Sequence, residues 1–290
     1  MIWLIGNKGM LGRDVEGLLR EKGWEYLGTD KEVDITDYGV IDGFVAKNVG
    51  NRNVKWVINC SAYTAVDRAE DEHEMAFKIN AEGVENIAKI VKDLGAVLIH
   101  ISTDYVYDGK KEDVYLETDR PNPIGVYGKS KLEGEERIKK FLDKYFIIRT
   151  AWLYGRNGNN FVYTMLNLFK EKDVVKVVSD QWGSPTYTKD LARAIIKFVE
   201  VSPNSYGIYH FTNEGKTNWF EFAKKIYEYA QMYDLIKREV RIVPITTEQY
   251  PTKAERPHNS YLSKEKIKQT LGLEIPKWED SLKNFMEELV

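Results

Sequence analysis

"MIWLIGNKGMLGRDVEGLLREKG", residues 1–23, opens as a short apolar run, passes through three glycines and continues in a helical pattern. Met10, Leu11, Val15, Leu18 and Leu19 recur at helical spacing and mark one apolar face. Gly6, Gly9 and Gly12 stand between the run and that helix. Their G-x-x-G-x-x-G spacing is one residue wider than the G-x-G-x-x-G of many dinucleotide sites. Positions without a Cβ let a backbone approach a pyrophosphate, and a helix N-terminus behind them favours the anionic charge. Strand, glycine turn and helix in this order predict the start of a parallel α/β sheet.

The alternation continues along the chain. "EYLGTD" (25–30) reads as a second strand, and "KWVINCS" (55–61) as a third, followed by a helical stretch around 72–94. "AVLIHIS" (96–102) is an unbroken apolar run of the kind a buried parallel strand gives, and "YFIIRTAW" (145–152) supplies another. A sheet of this kind is covered on both faces by helices and binds ligands at the carboxyl ends of its strands. Beyond residue 150 the alternation loosens. "VVKVVSD" and "GIYHFTN" read as strands, "DLARAIIKFVE" and "NWFEFAKKIYEYA" as helices, with Asn218 and Glu221 set as a capping box. The expected division is a dinucleotide-binding domain over 1–150 and, over 151–290, mainly a substrate-binding lobe with segments returning to the main sheet.

Composition narrows the function. At 290 residues, 43% apolar and 30% charged, the chain is an ordinary globular protein. A formal charge of −3 without a basic, aromatic-interleaved patch argues against nucleic acid. Cys60 stands alone, so no internal disulfide forms, which fits a reducing, cytoplasmic setting. No apolar stretch reaches the roughly 18 residues of a membrane span. His73, His100, His210 and His258 are scattered without metal-ligand spacing, and no metal is expected.

Asp30 closes the second strand, where a carboxylate can accept hydrogen bonds from ribose hydroxyls and favours NAD(H). Lys31 beside it could instead meet a 2′-phosphate, so NADH and NADPH both stay open. Ser102, Thr103 and Asp104 stand where the apolar strand runs out. Tyr-x-x-x-Lys spacing occurs at Tyr107/Lys111, Tyr127/Lys131 and Tyr233/Lys237, so spacing alone decides nothing. The first pair spans a turn signal at Asp108–Gly109, and the third lies remote from any strand end. Tyr127/Lys131 follows the strand-end hydroxyls on a helix, where the two side chains share a face. A nearby ammonium would lower a phenol's pKa from near 10 and ready it to protonate a ketone oxygen.

With these motifs in this order, the chain resembles the extended short-chain dehydrogenase/reductases, and among them the dTDP-4-dehydrorhamnose reductases, which complete dTDP-L-rhamnose biosynthesis. The resemblance spans nearly the whole chain. It rests on "GNKGMLG", "NCSAYTAVDRAE" (59–70), "KINAEG" (78–83), "STDYVYDG", "YGKSKLEGE", "RTAWLYG" (149–155), "DQWGSPTY" (180–187) and "RPHNSYLS" (256–263). It implies a Rossmann-type doubly wound α/β fold with a smaller C-terminal lobe, and an NAD(P)H-dependent oxidoreductase acting on a nucleotide sugar. Thr103, Tyr127 and Lys131 would be catalytic, with Tyr127 and Lys131 also at the cofactor. Lys8, Met10 and Leu11 would join the three glycines and Asp30 along the cofactor, as would Asp34, Ile35, Asn59, Cys60, Ala62, Tyr63 and Asn80. Thr64, Val66, Asp104, Val106 and Trp152 would line the sugar pocket, an indole face suiting the apolar face of a pyranose. Gln181 and Arg256 would approach the substrate or its phosphates. Related dehydratases carry Asp-Glu after the strand-end Thr; here Asp104 is followed by Tyr105, which argues against that chemistry. A non-catalytic regulatory subunit like the β subunit of methionine adenosyltransferase, or an enzyme for another nucleotide sugar, shares these features. A homodimer is compatible with the sequence, and a membrane partner is not expected.

Overall fold

The computed structural model describes residues 1–49 and 53–290. Its centre is a six-stranded parallel sheet. In chain order its strands are β1 (Ile2–Ile5), β2 (Tyr26–Thr29), β3 (Trp56–Asn59), β4 (Val97–Thr103) and β5 (Tyr145–Thr150), with β10 (Gly207–His210) returning from the second half. Shorter strands lie between and beyond: β6 (Leu153–Tyr154), β7 (Val174–Val178), β8 (Trp182–Gly183), β9 (Thr186–Tyr187), β11 (Thr217–Asn218) and β12 (Arg241–Ile245). Helices α1 (Met10–Glu21), α2 (Tyr38–Asn48), α3 (Val66–Ala69) and α4 (His73–Phe77) come first; α4 runs through a π-turn into α5 (Gly83–Leu94). Then follow α6 (Val126–Phe141), α7 (Phe161–Glu171), α8 (Thr188–Val201), α9 (Trp219–Met232), α10 (Glu265–Leu271) and α11 (Trp278–Glu287).

Spatially the sheet runs β2-β1-β3-β4-β5-β10. The chain leaves β1 toward β2 on one side and returns to β3 on the other, so the order reverses between β1 and β3. At such a reversal the loops after the two strands part and leave a crevice for a ligand. Both sheet faces are covered, which is why β1, Trp56–Ile58 of β3 and Val97–Ile99 of β4 read as apolar runs. One face packs Leu4, Ile58, Ile99 and Ile148 against Val15 and Leu19 of α1 and Leu191 and Ile195 of α8. The other packs Trp3, Val57 and Leu98 against Ile87 and Val91 of α5 and Ile138 of α6. A separate core joins α7, α9, α11, β7 and β9 around Phe169, Phe222 and Phe285. This second body carries the strand pairs β7–β12, β6–β9 and β8–β11.

Local chemistry sets the boundaries. Asn218 caps α9 by accepting from Glu221 N at 2.9 Å, but the Glu221 carboxylate turns to Lys224 at 3.0 Å. The capping box expected there is therefore half made, because an ion pair one turn on outcompetes the reach back to the cap. Among the described residues no helix is long and apolar enough to cross a membrane, and no group of His, Cys, Asp and Glu could hold a metal ion.

Candidate active site

The crevice is built from glycines. Gly6, at φ +80°, passes so near the loop after β3 that a Cβ would sit 2.8 Å from Ser61 N and 2.9 Å from the Cys60 carbonyl carbon. At Gly12 a Cβ would stand 2.0 Å from the Gly6 carbonyl oxygen, so only glycine lets α1 close on its own loop. Helix α1 begins at Gly9 with no side chain capping its first turn, which leaves an electropositive N-terminus in the crevice. Asp30 stands beside it, accepting from Lys8 N at 3.0 Å and Lys31 N at 2.8 Å, while the Lys8 ammonium pairs with Glu32. Met10 is half-buried beside this loop; Leu11 and Ile35 are buried in the core, Ile35 under Gly83, and Asp34 caps Thr36.

The loop after β3 is held from behind. Asn59 Oδ1 accepts from Ser61 N at 3.0 Å and Ser61 Oγ at 2.6 Å. Asn80 brackets Tyr63, accepting from its N–H at 2.9 Å and donating to its carbonyl at 3.0 Å, and also donates to Ser130 Oγ of α6. Asn59 and Asn80 are thus buried supports of the crevice. Cys60, Ala62 and Tyr63 are half-buried along the loop, and burial pushes the Cys60 thiol up to about 12.

At the end of β4, Thr103 donates to Asp104 Oδ1 at 3.0 Å, and its hydroxyl is near enough to Tyr127 to favour the ionised phenol. Tyr127 sits in the first turn of α6, whose Val126 N–H is capped from α3 by Glu70 Oε1 at 2.8 Å. Gly128 lets the helix press on the strand end, since a Cβ there would sit 2.1 Å from the Tyr105 carbonyl oxygen. Lys131 is buried one turn on and donates to the Ile101 carbonyl at 2.6 Å. Burial holds the Lys131 ammonium down at about 8, against the opposing pull of Glu135. The phenol behaves otherwise than the sequence suggests. Burial, with Asp104 adding to it and Thr103 opposing, pushes Tyr127 up to about 12, because the Lys131 nitrogen is turned to Ile101 and His100. Burial likewise raises Asp104 to about 6. Neither other Tyr-x-x-x-Lys pair shares this setting: Tyr107 is buried against Arg149 and His210, and Tyr233 bonds Glu287 at 2.6 Å.

A cleft of about 490 Å³ opens between α7, β7 and the start of α9. Its lining includes Phe161, Val177, Gln181, Trp219 and Arg256. Trp152, at the end of β5, has a left-handed backbone (φ +49°), uncommon and strained for a bulky residue. Its indole stacks on Trp219 with ring centres 3.7 Å apart, and Gly183 packs so close that a Cβ there would sit 2.9 Å from the ring. Arg256 pairs with Asp67 at 2.7 Å, and Gln181 donates to Thr247 at 3.0 Å. Thr64 is exposed, Val66 half-buried and Val106 fully buried.

The family model described as RmlD substrate binding domain matches residues 1–290. A dTDP-4-dehydrorhamnose reductase of Aggregatibacter actinomycetemcomitans is 41% identical, the match covering 97% of this chain and 96% of that protein. The chain belongs to the dTDP-4-dehydrorhamnose reductase family. Another member, from Escherichia coli K12, is 37% identical over 99% of this chain and 97% of its own. The crystal structure of the Bacillus anthracis dTDP-4-dehydrorhamnose reductase in complex with NADP superposes with a TM-score of 0.91 at 40% identity, covering 99% and 98% of the two chains.

In this member of the family several supporting residues escaped the sequence reading. Glu135 forms a fully buried pair with Arg149 at 2.6 Å and accepts from Ser102 at 2.6 Å, locking α6 to β4 and β5. Trp219 backs Trp152, and Asp67 occupies Arg256. One signal was present: His100 and Ser102 are polar positions two apart in an apolar strand, hence on one face, opposite Lys131 and Glu135 four apart on a helix.

Proposed function

We propose that this chain reduces the C4 ketone of dTDP-4-dehydro-L-rhamnose to dTDP-L-rhamnose, with NADPH or NADH as reductant. The observation that carries the reading is the meeting of Thr103, Tyr127 and Lys131 at the strand end beside a glycine cradle and an uncapped helix N-terminus. The cradle and the open α1 terminus fit a pyrophosphate. Gly6, Gly9, Gly12 and the Met10–Leu11 backbone would hold it, with Asp30 toward the adenosine ribose. When bound, the dihydronicotinamide supplies hydride to C4. Tyr127 donates its proton to the C4 oxygen, and Thr103 holds that oxygen by a hydrogen bond. Raised by burial, the phenol keeps its proton until the alkoxide forms. Lys131, as ammonium, stabilises the developing phenolate once its Nζ swings from Ile101 toward it.

The 151–290 portion serves mainly as the substrate-binding lobe. Trp152, Thr64, Val66 and Asp104 face the sugar, whereas Val106 is packed in the core with Tyr107, Tyr115 and Leu262 and drops out of the pocket; Gln181 and Arg256 take the diphosphate once released from Thr247 and Asp67. The acidic Asp30 leans toward NADH, whereas the Bacillus anthracis relative was solved with NADP, so both are accepted. The reductase relatives give no support to a regulatory-subunit reading. The setting is cytoplasmic, and a homodimer is compatible with it.

The test is oxidation of NADPH or NADH by purified protein with enzymatically prepared dTDP-4-dehydro-L-rhamnose. Consumption is expected to fall away as pH rises through about 8, because Lys131 must be charged. Bound cofactor without consumption would turn the assignment toward another nucleotide sugar.

A further inference from the structure

His100 lies on β4 at the back of the site, fully buried. Its Nε2 is 3.3 Å from Lys131 Nζ, and its Nδ1 is 3.1 Å from Asn59 Nδ2. The Asn59 amide cannot be turned round. Ser61 N–H and Ser61 Oγ both point at Asn59 Oδ1, and a backbone N–H can only donate. Asn59 therefore gives its N–H to His100 Nδ1, which must accept. In a neutral imidazole the remaining hydrogen then sits on Nε2, aimed at Lys131. The ring is neutral, since burial holds it well below the ordinary histidine range and the adjacent Lys131 adds to that.

An ammonium has three donors and no acceptor, so an N–H directed at it is a donor facing a donor. A neutral amine has a lone pair and accepts the same hydrogen bond. We propose that His100 is a positioning residue of this active site, holding a ring N–H against the Lys131 amine and so opposing the ammonium form of that lysine. The other groups that act on Lys131 are Cys60 from the loop after β3 and Glu135 on α6, both favouring the charged form. Glu135 is tied up by Arg149 and Ser102, and the Ile101 carbonyl accepts an N–H from amine and ammonium alike, which leaves His100 as the directional contact that tells the two forms apart. Activity needs the ammonium, so a contact that opposes it sets how far up in pH the enzyme works.

The inference rests on the reductase reading, and two variants separate the two. In His100→Asn the shorter amide keeps the hydrogen bond to Asn59 but withdraws from Lys131. His100→Gln reaches Lys131 and can turn its carbonyl oxygen toward the ammonium. Both are expected to move the basic limb of the kcat/KM profile upward by about one pH unit, His100→Gln further, where one unit is a tenfold change in protonation equilibrium. The pH dependence of NADPH binding, read by nucleotide fluorescence without any sugar, should shift in the same direction. Lowered turnover with an unmoved basic limb, or a limb moved downward, would overturn the proposal and leave His100 a packing residue. Should the wild type not turn over the dTDP-sugar, the reductase reading falls, and the binding profile alone still decides the role of His100.

Discussion

The two halves of the site are built on different principles. At the β4–α6 corner the functional groups are buried and fixed by hydrogen bonds: Thr103 to Asp104, Lys131 to Ile101, Glu135 to Arg149. In the cleft the polar groups are satisfied by one another: the partly exposed Arg256 by Asp67, the buried Gln181 by Thr247. Trp152 and Trp219 cover each other. The corner is preorganised for chemistry. The cleft exchanges internal partners for those of a ligand, so its residues should affect affinity where the corner's affect rate.

The largest break in that contrast is Tyr127→Phe. It removes the proton donor and keeps the ring, so kcat should fall by roughly 10²–10⁴-fold with cofactor affinity and melting temperature unchanged. Stopped-assay kinetics with nucleotide titration would check this; retained turnover would remove Tyr127 from the mechanism. Glu135→Ala comes next, because it strands the fully buried Arg149 guanidinium. A loss of about 3–5 kcal/mol is expected by chemical denaturation, where a surface pair would lose almost nothing.

In the cleft, Trp219→Ala strips the support from Trp152. An aromatic pair is worth about 0.5–1.5 kcal/mol, so KM for the dTDP-sugar should rise several-fold, up to about tenfold, at similar kcat. A matching fall in kcat would place Trp219 with the corner instead. Smallest is Asp67→Asn, which breaks a half-exposed ion pair worth less than about 1 kcal/mol. Melting should be unmoved, and KM should drop about twofold as Arg256 is freed for the diphosphate. A rise in KM would mean that Asp67 positions Arg256 rather than competing for it.

The same contrast explains what could be read from the sequence. The glycine loop was legible because the positive φ of Gly6 and the closure of Gly12 on Gly6 are local demands, and β4 because Val97, Leu98, Ile99 and Ile101 make an apolar run at the centre of a covered sheet. Helix α2 was not read as an element: Gly39 and Gly43 interrupt it and only Ile41 is buried, so its apolar periodicity is faint. Strand β12 was also missed, since Pro244 weakens the pattern and its partner β7 lies more than sixty residues away in the chain. Tyr127 and Lys131 were found from spacing and context. That Lys131 bonds Ile101 and faces His100, and so leaves the phenol raised, depends on how β4 packs on α6, which no spacing within either element encodes.

The most direct measurement follows an isotope. Wild-type protein is given dTDP-4-dehydro-L-rhamnose and NADPH deuterated at the nicotinamide C4, and the product is examined by NMR. Deuterium at C4 of dTDP-L-rhamnose, abolished in Tyr127→Phe, is the predicted result. Recovery of unlabelled starting sugar with the cofactor bound and unoxidised would contradict it.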